Sequence, residues 1–268
     1  MKPLSKICHQ LYRDYCPDSV KHRHNVSLSK VSDESLLVLL LLQAELGIKS
    51  QRHFHRICQL FPCGRMLERS RFNRRSRQLI WLLQLIRQAM NDQISPNTIA
   101  IVDSFPLALC QPVRNYRASI FERTADSGYN ASKQLWFYGF KVHMLVTLSD
   151  HILSYVITPA AVHDIKAVED LLEGCQQSVI LADLNYLSQA LKDRLKQRGY
   201  HLWTPLRQNM RGASKYNNWR LLAMRRTIET RFSELCALLD MEHTFARGAA
   251  GLQLRIEQIP IGLSFELF

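Results

Sequence analysis

The chain has 268 residues, 47% hydrophobic and 22% charged, which is a globular composition with enough apolar material for one large core or one core plus a small helical domain. Its longest apolar stretch, Leu36 to Leu42, is far shorter than the about 20 residues that span a bilayer, and acids and bases interrupt "MKPLSKICHQLYRDYC" before any apolar region begins, so neither a membrane partner nor a signal peptide is expected and the cytoplasm is the expected location. The net charge of +12 is uneven: residues 1–100 hold 16 Lys/Arg against 7 Asp/Glu, or +9, and residues 101–268 hold 19 against 16, or +3.

In chain order, residues 32–46 open on Ser and Asp, run apolar and stop at Gly47, which predicts a capped, buried helix. Cys58 and Cys63 with His53 and His55 match no common zinc spacing, and the seven cysteines, odd in number and without a CxxC pair, read as reduced thiols. The stretch 65–77 holds six arginines and one glutamate; Arg69, Arg71, Arg74 and Arg75 are candidate DNA phosphate contacts, and a solvated helix face is the alternative. Apolar positions 79, 80, 82, 83 and 86 predict a helix over 76–90, and "NDQISPN" at 91–97 is rich in loop formers. A basic helical domain is therefore expected over 1–95 and a second domain over 96–268.

Beyond the loop, strands are expected at 98–103, 137–148, 152–158, 178–183 and 200–204, and helices at about 164–174, 187–198 and 219–240. This order is that of an α/β fold, a mixed sheet flanked by helices. Two continuously apolar runs, "IAIVD" and "VILAD", each end in aspartate, at Asp103 and Asp183. If the strands lie parallel and adjacent, two carboxylates meet at one sheet edge and repel unless a cation lies between them, which points to hard oxygen-liganded Mg²⁺ or Mn²⁺. A third acid, Glu229, sits beside a helical stripe of Ile228, Phe232, Leu235 and Leu239. His163 and Asp164 are weaker candidates for groups near the metals, a helix cap being the other reading of Asp164. His143 reads as a hydrogen-bonded sheet residue. From Arg194 to Arg226 there are nine Lys/Arg and no acid, a window suited to a polyanion; Arg207, Arg211, Lys215, Arg225 and Arg226 are its candidate DNA contacts.

The stretches "DSFP", "YGFKVH", "VITPAAVHD", "LADLNYL", "TPLRQN" and "RRTIETRFSEL", in this order and spacing, resemble DDE-type bacterial transposases, most of all the insertion-sequence 982 family, from about residue 98 to about 255. The resemblance implies a ribonuclease-H-like core, with Asp103, Asp183 and Glu229 as a catalytic triad binding two divalent metal ions. It also implies cleavage at element ends and attack of a 3′-hydroxyl on target DNA, with double-stranded DNA as partner and a homo-oligomer on it. A nuclease that cuts without joining and a catalytically weak DNA-binding remnant are the alternatives. One departure stands beside the triad: Leu184 and Asn185 replace a Lys-Gly pair common in such enzymes. If Asn185 takes the left-handed conformation a glycine would supply there, strain at the turn would disturb Asp183. The ending "IGLSFELF" is abrupt, which would also suit a decayed element.

Overall fold

The computed structural model describes residues 4–24, 26–60, 66–131, 134–149, 151–217, 219–220, 222–224, 226, 229–230, 233 and 246–264. It divides into two units: residues 1–92 with 245–268, and residues 93–244.

The first unit is helical: α1 (Leu4–Tyr15), α2 (Asp18–Lys21), α3 (Asp33–Glu45), α4 (Gln51–Leu60), α5 (Arg69–Gln78) and α6 (Ile80–Asn91). Ser32 caps α3 as expected, its hydroxyl accepting the Ser35 N–H. Because α3 is apolar around most of its circumference, it lies in the core, where Leu36, Leu37, Leu40 and Leu41 are fully buried. The helix expected over 76–90 is two helices joined at Leu79, which ends α5 and precedes α6. Helices α1 and α4 have strongly one-sided apolar faces; Ile7, Cys8, Leu11, Phe54 and Cys58 join the same core.

The C-terminal helix Ala249–Ser264 also belongs to this unit, packing on α3 and α6. Arg87 Nε donates to the fully buried Glu257 carboxylate at 3.0 Å, and Gln258 Nε2 donates to the Leu40 carbonyl at 3.1 Å. Beyond the expected boundary at 95/96, the helix Ala249–Ser264 thus groups with the N-terminal helices, where Leu252, Leu254 and Ile256 are buried.

The second unit is the expected α/β fold, a six-stranded mixed sheet flanked by helices. Its strands are β1 (Ala100–Ala108), β2 (Asp126–Asn130), β3 (Leu135–Thr147), β4 (Ile152–Pro159), β5 (Val179–Ala182) and β6 (His201–Trp203). They lie in the order β2-β3-β1-β5-β6, with β4 also on β3. Strand β1 pairs antiparallel with β3 along its whole length and parallel with β5, and β5 is parallel to β6. Helices α7 (Val168–Leu171) and α8 (Gln189–Gln197) supply Val168, Leu171, Leu191 and Leu195 to a core with Val102, Ile180 and Tyr186. A short helix α9 (Ala213–Tyr216) follows β6.

Two details differ from expectation. Strand β1 does not stop at Asp103 but continues to Ala108, still paired with β3 after β5 has left it. Strand β2, with the sequence "DSGYN", has no apolar alternation to announce it; it forms because it pairs with the first half of β3 and fits close to residue 160. A Cβ on Gly128 would stand 2.6 Å from the Ala160 carbonyl oxygen, and one on Gly139 would stand 2.2 Å from that of Leu107. Only glycine permits either approach.

Candidate active site and nucleic-acid interface

The β1–β5 ladder pairs Ala100 with Ile180, Ile101 with Leu181 and Val102 with Ala182. Asp103 on β1 and Asp183, the first residue after β5, each follow the last paired position, so parallel pairing brings the two residues to neighbouring places where β5 departs from β1. Neighbouring strands lie about 4.8 Å apart. Apolar residues 100–102 and 180–182 bury the approach to this point, while both aspartates are half-exposed. Each carboxylate accepts a local N–H through Oδ1: Asp103 from Ser104 at 2.8 Å, and Asp183 from Leu184, capping the turn Leu184–Tyr186.

That turn is a 3₁₀ helix. Among the described residues the non-glycine positions with positive φ are Phe121 and Gln134, so the left-handed Asn185 expected from the sequence is corrected: it takes an ordinary helical conformation and the turn carries no strain of that kind.

Beneath the acids lies Tyr186, 1% exposed. Burial, Asp164 and Asp103 together raise its hydroxyl well above its ordinary pKa, a hydrogen bond with Ser104 opposing them and Asp183 adding to the rise. It therefore stays a neutral phenol. The Tyr186 hydroxyl is 3.5 Å from His143 Nδ1, and His143 Nε2 is 2.9 Å from Thr158 Oγ1. His143 is thus the hydrogen-bonded sheet residue expected, and its burial, only partly offset by Asp164, lowers its pKa to about 4.

Asp164 sits near this group in an ion pair with Lys141, Nζ to Oδ1 at 2.6 Å, both side chains largely buried. The cap of this turn is His163, whose exposed ring accepts the Ile165 N–H, and not Asp164 as one reading had it. Lys141, Ser104 and Tyr186 were not singled out from the sequence. Only Tyr186, three residues after an expected site acid, offered a local signal.

Glu229 is helical and exposed; the stripe expected beside it, Ile228, Phe232, Leu235 and Leu239, lies outside the described residues, as does Arg225. Among the described residues no three His, Cys, Asp or Glu side chains form a group disposed to hold one metal ion. Strand pairing places Asp103 and Asp183 at neighbouring positions.

The candidate DNA contacts divide. Arg69, Arg71 and Arg74 are exposed on α5, and Arg52 of α4 joins Arg69, Ser70 and Asn73 around an open cleft of about 360 Å³. Glu68 caps α5 by accepting the Ser70 and Arg71 N–H groups, and the Ser70 hydroxyl with these amides holds its carboxyl at about 2. Any anion on this face must therefore be met by side chains. Arg75 is engaged otherwise: its guanidinium donates to Val31 O and Asp33 Oδ1, both at 2.6 Å, and to Ser29 Oγ at 2.7 Å. Arg207, Arg211, Lys215 and Arg226 are exposed. Trp203 stacks on Tyr216, with centroids 6.4 Å apart, and Trp219 is 72% exposed beside the Arg220 guanidinium.

No helix among the described residues is long and apolar enough to cross a membrane. Residues 93–249 match the family model described as transposase DDE domain. No curated protein matches the sequence. Among solved structures, the chain is similar to the piggyBac transposase synaptic complex with hairpin DNA at 13% identity and a TM-score of 0.52, over 97% of this chain and 74% of that one. It also matches the catalytic domain of the Mos1 mariner transposase, at 10% identity and a TM-score of 0.28 over 74% and 92% of the two chains. The first likeness shows a shared fold, the ribonuclease-H-like arrangement of a mixed sheet between helices.

Proposed function

Because this chain belongs to the transposase DDE-domain family, we propose that it is an insertion-sequence transposase of the 982 type that cuts DNA at element ends and joins the freed 3′-hydroxyl to target DNA. The observation that carries the reading is the β1–β5 register, which aligns Asp103 with Asp183 at the point where the strands part. A fold gains no stability from placing two carboxylates together, so the pair is there for what it binds.

Asp103, Asp183 and, as third ligand, Glu229 would hold two Mg²⁺ or Mn²⁺ ions, which when bound supply Lewis-acid activation of a water or 3′-hydroxyl and neutralise charge on the phosphoryl group. The chain's own groups do the positioning. Ser104 and Leu184 N–H groups fix the carboxylate rotamers. Neutral Tyr186 and His143 fill the space beneath without adding charge, and the Lys141–Asp164 pair balances its own charge beside them.

DNA is met by Arg69, Arg71 and Arg74 of α5 with Arg52, and by Arg207, Arg211, Lys215, Arg225 and Arg226. The N-terminal helices thereby act as a DNA-binding domain in the cytoplasm, two or more copies of the chain engaging paired ends. The piggyBac structure, a synaptic complex with hairpin DNA, supports this assignment of partner.

Labelled element ends incubated with the protein and Mg²⁺ test the reading. Joined products are expected. Cut but unjoined products would make the protein a nuclease, and a shifted band alone would make it a binding remnant.

A further inference from the structure

The segment between β1 and β3 leaves an unusual amount of aromatic and apolar side chain in solvent: Val113 is 83% exposed, Tyr116 100%, Tyr129 52%, Leu135 44% and Trp136 62%. These residues form one surface. Tyr129 and Trp136 are direct partners in the β2–β3 register, and their ring centroids are 5.4 Å apart. The 3₁₀ turn Pro112–Arg117 docks beside them, Asn115 Nδ2 donating to the Trp136 carbonyl at 3.1 Å.

The segment that follows the turn is tied to the sheet. The Phe121 ring meets Phe140 edge-on at 5.2 Å, its carbonyl accepts the Thr124 and Ala125 N–H groups at 2.8 Å, and the Tyr138 hydroxyl donates to Ile120 O at 3.1 Å.

Its charge identifies the occupant. From Ser104 to Trp136 the charged residues are Arg114, Arg117, Arg123 and Lys133 against Glu122 and Asp126, a basic excess in which Arg114 and Arg117 are both exposed. A second copy docked on the same face would bring four guanidinium groups together in a two-fold contact, which like-charge repulsion opposes. Ring faces bordered by guanidinium groups instead suit unpaired bases linked by phosphates, since stacking accepts any base and arginine takes the backbone.

We propose that Tyr116, Tyr129 and Trp136 with Arg114 and Arg117 form a platform for a single-stranded stretch of DNA. The proposal rests on the reading of this chain as one that acts on DNA. Trp136 lies eight residues along β3 from Met144, the register partner of Asp103, or about 26 Å at about 3.3 Å per residue, so the platform is separate from the acid pair.

Fluorescence anisotropy with two probes, a blunt duplex and the same duplex carrying an oligothymidine extension, tests it. The extended probe should bind about tenfold more tightly to the wild-type protein. The triple variant Tyr116→Ala, Tyr129→Ala, Trp136→Ala should lose that gain and keep the blunt-duplex affinity, while Trp136→Phe should keep most of the gain. Tyr116→Ala alone, on a side chain wholly in solvent, should lower it about threefold, which keeps the test open if the triple variant does not fold. Equal binding of both probes by the wild type, or a gain retained by the triple variant, overturns the platform while blunt-duplex binding upholds action on DNA. Failure to bind either probe overturns both. A dimer in sedimentation that the triple variant dissociates would overturn the platform in favour of a chain–chain interface.

Discussion

Two regions of this molecule handle buried-edge carboxylates in opposite ways. In the helical unit Asp33, 5% exposed at its side chain, is gripped by two guanidinium groups, Arg23 and Arg75, each at 2.6 Å. Burial alone would raise its pKa, but hydrogen bonds from the two arginines outweigh that and hold the carboxyl below its ordinary value. In the sheet unit, strand register brings Asp103 and Asp183 to neighbouring positions, and both acids act on one buried neutral tyrosine, Tyr186. The first arrangement stabilises the fold. The second is the arrangement that, on the function proposed above, would take a cation.

The difference can be broken most sharply at the aspartates. Asp103→Asn or Asp183→Asn should lower cleavage of labelled element ends at least about a hundredfold, yet leave duplex affinity and thermal stability unchanged or slightly improved. A variant that melted early and still cleaved would make the pair structural, like Asp33.

Acid should separate the two regions in turn. His143 has a folded pKa of about 4 against an ordinary value near 6.5, so the neutral form is favoured on folding. The contribution is fully present above about pH 6.5 and is lost as the pH falls toward 4, at up to about 1.4 kcal/mol for each pH unit. Asp33 is a carboxyl with a lowered pKa; its contribution persists until the pH falls below the ordinary carboxylate range. The sheet unit should therefore unfold first on acidification, as followed by tryptophan fluorescence and circular dichroism, and His143→Gln should flatten that slope. Simultaneous loss of both units near pH 3 would contradict the assignment.

A smaller contrast lies within one helix. Arg75→Ala should destabilise the helical unit by about 2 kcal/mol, since it strips one partner from the buried Asp33. Arg71→Ala and Arg74→Ala should change stability by less than about 0.5 kcal/mol but flatten the salt dependence of DNA binding by about one unit of slope per lost contact. An equal stability loss at all three positions would remove the distinction.

The smallest effect is expected at Asn185. Because it sits in an unstrained 3₁₀ turn, Leu184→Lys with Asn185→Gly should not raise cleavage, and glycine should cost about 0.5 kcal/mol of stability. A faster double variant would restore the idea that the native turn is damaged.

What was legible in the sequence follows the range of the forces involved. Continuous apolar runs ending in aspartate announce β1 and β5, and a Ser-Asp start with an apolar run announces α3, because burial and capping are written locally. Strand β2 was invisible because Asp126, Ser127, Gly128 and Asn130 are turn formers that pair only when β3 is beside them. Arg75 looked like its neighbours on the cluster, since nothing local reveals that Asp33, 42 residues earlier, would claim it. Lys141 and Asp164 likewise meet only through the fold.

The return of the C-terminal helix to the first unit has a consequence for synthesis. Arg87 waits for Glu257, 170 residues later, and the Leu40 carbonyl for Gln258, 218 residues later. At about 5 to 20 residues per second, translation separates Arg87 from its partner by roughly 10 to 30 seconds. The sheet unit, contiguous from residue 93 to 244, emerges whole within that interval. The nascent N-terminal helices therefore keep their core unsealed until the helix Ala249–Ser264 has been made to close it.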